Sequence, residues 1–221
     1  MDFKTGNSGN KLQLAVLKTG VGCRQEGAYC QYLGAIAPKV YALVDDGYIL
    51  EMLEPARYEH SLLVSITQHL ETFIWSRPPL PDTLDSDWRE ELLKYGVKTP
   101  DWVTEGSPCL VHGDPTASNA LRRGKELVLG DPRPPRNFIP QTRETDMGRV
   151  YQSYFGWESV AYGIPYTKFE EPWFMTNDYM NRRALFWCGA AVARIAHLER
   201  SRQSRAKILL WCEETRRKCH V

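Results

Sequence analysis

The sequence predicts an α+β protein in two unequal parts, a small β-rich N-terminal lobe over residues 1–53 and a larger, mainly helical lobe over residues 54–221. Three observations carry this reading. The first fifty residues read as short strands flanking one helical stretch, the apolar period lengthens to that of helices after Glu54-Pro55, and a hairpin around Arg123-Gly124-Lys125 interrupts the helical part.

The elements follow in chain order. Gly6-Asn7-Ser8-Gly9 reads as a turn, and residues 11–18 (KLQLAVLK) as a strand with Leu12, Leu14 and Val16 on one face. Residues 24–36 fit a helix in which Glu26, Tyr29 or Cys30, and Leu33 recur at helical spacing. A carboxylate therefore shares the face that carries apolar side chains. Pro38 breaks the helix, and residues 39–43 and 48–53 form a hairpin about Asp45-Asp46-Gly47. In the larger lobe, residues 60–75 are amphipathic (Leu62, Leu63, Ile66, Leu70, Phe73), and residues 87–95 form a shorter helix capped by Asp85 or Ser86. A stiff proline-rich connector, residues 77–81, separates them, and residues 99–108 are irregular. The apolar residues 109–111 lead into a loop, 112–119, and a hairpin, 120–129. Residues 145–159 and two segments within 181–218 complete the chain as helices.

Composition narrows the function classes. A chain of 221 residues, 43% hydrophobic and 25% charged, buries a sizeable core without disulfide staples. A net charge of +1 argues against a protein that coats nucleic acid or an anionic membrane. From Arg182 onward ten Lys and Arg face three Glu, which reads as a solvated helix face. The six cysteines include no CxxC pair, so reduced thiols are expected. The first ten residues are polar and no apolar run approaches the ~20 residues that span a bilayer, so the expected setting is cytoplasmic, with no membrane partner. His60, His69, His197 and His220 lack ligand spacing and are not read as metal ligands.

The chemistry concentrates in one short stretch. Asp114 and Asn119 are five apart in one loop, and the hairpin that follows returns the chain so that Asp131 lies beside Asn119. Carboxylate and amide oxygens are hard ligands suited to Mg²⁺, which takes the rest of its shell from phosphates and water. Phosphoryl transfer needs metal-held phosphates in line with a hydroxyl and a base beside that hydroxyl. Asn119 and Asp131 suit the metal and Asp114 the hydroxyl, while His112 suits holding the loop by packing and hydrogen bonding.

The run His112-Gly113-Asp114-Pro115-Thr116-Ala117-Ser118-Asn119, with Leu129-Gly130-Asp131-Pro132, resembles the catalytic and metal loops of the aminoglycoside phosphotransferase and choline kinase-like family. With average residue frequencies, HGDxxxxN arises by accident in a chain of this length on the order of once in a thousand. The resemblance implies a protein-kinase-like fold, ATP or GTP as donor, Mg²⁺, and a small-molecule hydroxyl as acceptor. By the same resemblance Lys18 reaches the nucleotide phosphates, Glu26 pairs with Lys18, the backbone of Glu51, Met52 and Leu53 meets adenine, and Asp146 braces the catalytic loop. The sequence departs from the family in one respect: only 17 residues precede Lys18, room for one hairpin strand and not for the usual two with a phosphate-covering loop, so the expected N-terminal lobe is abbreviated. Tyr154 and Trp157 follow Asp146, and Trp173 sits in an irregular crossing where such enzymes build their acceptor pocket; these three are the substrate-side candidates. The leading expectation is a phosphotransferase. The alternatives are a catalytically silent relative that binds a partner protein and, last, a nucleic-acid binder using the basic C-terminal helices.

Overall fold

A computed structural model describes residues 15–81, 88–135, 140–201 and 206–220. The turn at Gly6–Gly9, the first part of the strand expected over 11–18, and the expected helix cap at Asp85 or Ser86 lie outside them.

The chain opens with β1 (Ala15–Thr19), α1 (Cys23–Leu33), β2 (Val40–Val44) and β3 (Gly47–Glu51), and the three strands form an antiparallel sheet in the order β1-β3-β2. The β2–β3 turn needs glycine at its exit. A Cβ on Gly47 would stand 2.0 Å from the Lys18 carbonyl oxygen across the ladder. Gly27 performs a similar service for α1, because a Cβ there would fall 2.6 Å from the Tyr48 ring. Its absence lets the helix lie close on the sheet and bury Tyr48 completely. Among the described residues β1 lies at one side of this sheet, and its Val16 and Leu17 are exposed.

The strand expected over 48–53 ends at Glu51, and two residues later β4 (Glu54–Pro55) joins a second antiparallel sheet with β5 (Ala120–Arg123) and β6 (Glu126–Leu129). Glu54 pairs with Arg122 and Pro55 with Leu121, so the segment leaving the first sheet is tied to the hairpin that follows the His112–Asn119 loop. The remainder is mainly helical, with α2 (Leu62–Phe73), α3 (Trp88–Lys94), α4 (Arg143–Tyr154), α5 (Trp157–Tyr162), α6 (Asp178–Ser201) and α7 (Ala206–Cys219).

Leu63, Ile66, Leu70, Leu110, Met147, Phe174 and Ile208 are fully buried in the main core, and Leu92, Val97, Phe186 and Trp187 form a smaller cluster where α3 meets α6. α4 and α6 pack tightly. A Cβ on Gly148 would lie 2.7 Å from both the Trp187 Cβ and the Cys188 backbone nitrogen. The single helix expected over 145–159 is two, because Gly156 adopts a left-handed φ of 86° and ends the first. The first begins at Arg143, two residues earlier than expected, with Thr142 in the N-cap position and Asp146 in the first turn. All six cysteines are unpaired and buried. Among the described residues no helix is long and apolar enough to cross a membrane.

Candidate active site

The loop at His112 is held from beneath by one buried carboxylate. Asp146 Oδ2 accepts from the His112 backbone N–H at 2.8 Å, Oδ1 accepts from the Gly113 N–H at 2.7 Å, and the Trp75 indole donates to Oδ2 at 3.1 Å. Burial outweighs these three donors and raises the carboxyl to about 6. The His112 ring is fully buried and stays neutral, since burial pushes its pKa down to about 4. As a neutral ring it donates from Nε2 to the Leu129 carbonyl at 3.4 Å and accepts the Asp114 N–H at Nδ1, also at 3.4 Å. It joins the loop to β6. Gly113 has a left-handed φ of 86° and no room for a side chain, because a Cβ would sit 2.4 Å from the Arg133 carbonyl oxygen. That clearance lets the Arg133 N–H donate to the His112 carbonyl at 2.8 Å, tying the Asp131 loop against the Asp114 loop.

Asn119 closes the first loop by donating from Nδ2 to the Asp114 carbonyl at 2.8 Å. The β5–β6 hairpin then returns Asp131 to the same place, with the Gly130 N–H donating to the Asn119 carbonyl at 2.8 Å. Asp131 takes a left-handed φ of 51°, a conformation Asp tolerates better than most residues, and its side chain is 57% exposed. Lys18 reaches it from the other sheet. The Lys18 ammonium lies 2.8 Å from Asp131 Oδ1 and 2.5 Å from Glu26 Oε1, and Glu26 Oε1 also accepts from the Tyr48 hydroxyl at 2.6 Å. Burial pulls the ammonium down, but the hydrogen bonds and charges of Asp131 and Glu26 outweigh it and hold its pKa above the ordinary value.

A cleft of about 200 Å³ is lined by Asp114, Asn119 and Asp131 together with Arg133, Arg149 and Trp157. Asp114 sits between two guanidinium groups, with Arg133 Nε 3.0 Å from Oδ2 and Arg149 Nε 3.6 Å from Oδ1. Burial would raise its carboxyl, yet Arg149 and Arg133 hold it below the usual carboxylate range. Both arginines were missed in the sequence, as was Arg194, which lines the same cleft. A signal existed for Arg149. It lies three residues after Asp146, on the helix face already assigned to the loop.

Three expected residues take other positions. Glu51 cannot use its N–H for a nucleotide base, because that group donates to the Lys39 carbonyl at 2.9 Å. Its two carboxylate oxygens accept from Arg123 Nε and Nη2 at 2.8 and 2.9 Å. Met52 is exposed and Leu53 half-buried, so the open part of that segment begins one residue later than expected. Trp157 lines the cleft, whereas Tyr154 and Trp173 are not among its lining side chains. The Tyr154 hydroxyl donates to Glu171 at 2.9 Å, and Trp173 packs edge-on against Phe174.

The donor set suits a small hard cation. Asn119 spends its amide N–H₂ within the loop, which leaves Oδ1 as an acceptor, and Asp131 retains Oδ2 beside the oxygen that meets Lys18. Among the described residues no group of three His, Cys, Asp or Glu side chains could hold a metal. Two protein oxygens match an ion that takes most of its shell from phosphates and water.

Comparison by sequence finds neither a family profile nor a curated protein that matches this chain. Comparison by structure finds the ethanolamine kinase of Plasmodium vivax, with a TM-score of 0.53 at 12% identity over 92% of this chain and 72% of that one. At that identity the likeness is one of fold. This chain is an α+β protein of small antiparallel sheets and many helices with a loose structural likeness to a kinase.

Proposed function

We propose that this protein is a phosphotransferase that uses ATP or GTP with Mg²⁺ to phosphorylate a hydroxyl of a small molecule. The observation that carries this reading is the meeting of Lys18 and Asp131, 113 residues apart in the chain and 2.8 Å apart in space, at the cleft that also holds Asp114 and Asn119. In this reading residues 1–53 form a nucleotide-binding lobe and residues 54–221 a helical lobe bearing the catalytic and metal loops. Six unpaired thiols suit the reducing cytoplasm.

Asn119 and Asp131 hold the cation through their remaining oxygens, and bound Mg²⁺ supplies neutralisation of phosphate charge. Lys18, kept protonated by its two carboxylate partners, binds phosphate oxygens, while Glu26 and Tyr48 fix its position. Asp114 orients the acceptor hydroxyl and receives its proton as the bond to phosphorus forms. Because Arg133 and Arg149 stabilise its ionised form, Asp114 acts more by orientation than as a strong base. Met52 and Leu53 border the nucleotide base.

Turnover of Mg-ATP or Mg-GTP with pooled small-molecule alcohols, followed by ³¹P spectroscopy, tests the reading. Asp114→Ala should abolish phosphoester formation while keeping the nucleotide-induced rise in melting temperature, and Asp131→Ala should lose both. Full turnover by Asp114→Ala would sink the assignment. One specific feature favours a second reading, a silent scaffold that binds a partner protein: both carboxylate oxygens of Asp114 already face arginines. Wild-type protein whose melting temperature ignores both Mg-nucleotides would support it.

A further inference from the structure

The acceptor side of the cleft carries more positive than negative charge, and that bears on which alcohols it admits. Asp114 is flanked by Arg133 from the Asp131 loop and Arg149 from α4, and Arg194 of α6, which hydrogen-bonds the Tyr95 side chain, lines the same cleft. Asp131, the other carboxylate in the lining, is turned to Lys18. The nearest further acids do not redress the balance. Glu158 is buried and spends Oε1 on the Ser118 N–H and the Ser153 hydroxyl. Glu91, whose field reaches Arg194, is paired with Lys94 at 2.5 Å.

The guanidinium groups are also positioned to be used. Arg149 is largely buried, with 11% of its side chain exposed, and is fixed by its Nη1 bond to Gln152 at 2.7 Å and by its approach to Asp114. It lies close enough to Arg133 and Arg194 for their like charges to act on it. Burying the Arg149 guanidinium beside a second one that shares the same carboxylate is costly unless a further anion completes the set. Arg133 meets Asp114 through Nε at 3.0 Å, its side chain is 48% exposed, and it lines the cleft. A planar fork of N–H donors matches the two oxygens of a carboxylate or phosphate.

We propose that the acceptor is an anionic alcohol, carrying a carboxylate or phosphate monoester beside the hydroxyl that is phosphorylated, and that Arg133 and Arg149 bind that group. The inference rests on the phosphotransferase reading and adds the substrate class. A cationic amino alcohol meets like charge here and is rejected. The transfer itself balances simply: the acceptor oxygen forms the bond to the terminal phosphorus, the bond from that phosphorus to the bridging oxygen breaks, the nucleoside diphosphate leaves, and the hydroxyl proton passes to Asp114.

The test uses matched alcohols with the full chain and Mg-ATP or Mg-GTP: glycerate and glycerol 3-phosphate as anionic probes, glycerol as the neutral one, choline and ethanolamine as cationic ones. Stimulated release of nucleoside diphosphate by the anionic probes is expected, with the carboxylate and phosphate arms telling which group is preferred. Arg133→Gln, at a half-exposed position, should raise KM for the preferred anionic probe roughly 10- to 100-fold and leave nucleotide affinity unchanged. Turnover confined to neutral or cationic alcohols overturns the inference while the phosphotransferase reading stands. A rise in nucleotide KM alone in Arg133→Gln also overturns it, since the arginines then serve the transferred phosphate. Absence of any Mg-nucleotide binding by the wild-type protein defeats the underlying reading, and this inference with it.

Discussion

His112 and Asp146 should titrate against each other in the stability of the fold, and Asp146→Asn exposes the effect. Asp146 moves from an ordinary 3.8 to about 6 when buried, so the native state holds its proton more tightly than the unfolded chain. Its contribution is fully present below pH 3.8 and is lost as pH rises through 6. His112 moves from 6.5 to about 4, which gives the opposite sign: its contribution is present above pH 6.5 and is lost as pH falls through 4. At 1.36 kcal/mol per pH unit, acidification from about pH 7 to 4.5 costs roughly 3 kcal/mol through His112 and returns roughly 2 through Asp146. The wild-type pair therefore nearly cancels. Asp146→Asn removes the compensating arm, so its unfolding free energy in urea should fall about 2 kcal/mol further than wild type over the same interval. Every other titrating group is common to both proteins, so the difference between the two slopes is the readout. Parallel pH profiles would refute the assignment of opposed titrations to these two side chains.

Two further outcomes follow from the local geometry. Gly113→Ala places a Cβ against the Arg133 carbonyl at a left-handed φ, so it should lower unfolding free energy by about 2 kcal/mol or more and weaken Mg-nucleotide binding, read by denaturation and calorimetry. Tyr48→Phe deletes the buried hydroxyl that donates to Glu26, and should cost about 1–2 kcal/mol in stability with nucleotide affinity reduced less than in Lys18→Ala.

Local chemistry was the legible part of this sequence. The α+β class followed from the change of apolar period near Leu53. The loop from His112 to Asn119 could be found because its residue types sit at a spacing that a hairpin converts into proximity. What escaped depends on packing between distant elements. Arg149 and Arg194 look like solvated helix residues in the sequence, and only the close approach of α4 and α6 at Gly148 brings them to one cleft. Glu51 was expected to offer its backbone to adenine, whereas its N–H goes to the Lys39 carbonyl and its carboxylate to Arg123, 72 positions later. The start of α4 was misplaced because residues 143–146 carry no apolar period. Their burial follows from the loop and turn they support, as when Glu144 accepts from the Ser107 N–H and Asp146 from His112 and Gly113.

Under the phosphotransferase reading, the chain of charges from Glu26 through Lys18 to Asp131 governs how the cation is loaded. The Lys18 ammonium on Asp131 Oδ1 competes with a cation for the charge of that carboxylate, although Oδ2 remains to hold it. On that reading, opening the 2.8 Å pair gives the cation the whole carboxylate and the phosphates the ammonium. With side-chain exposures of 31% and 57%, the pair is well hydrated and inexpensive to open. Glu26 differs, being 17% exposed and anchored by Tyr48, and it keeps Lys18 in place when Asp131 turns away. Removing Asp131 should then leave Lys18 held but the cation lost, whereas removing Glu26 should free Lys18 to stay on Asp131 and compete with the cation. Under the phosphotransferase reading, Glu26→Gln raises the Mg²⁺ concentration needed for half-maximal nucleotide binding. Unchanged Mg²⁺ dependence in that variant would mean that the Lys18–Asp131 contact plays no part in loading the site.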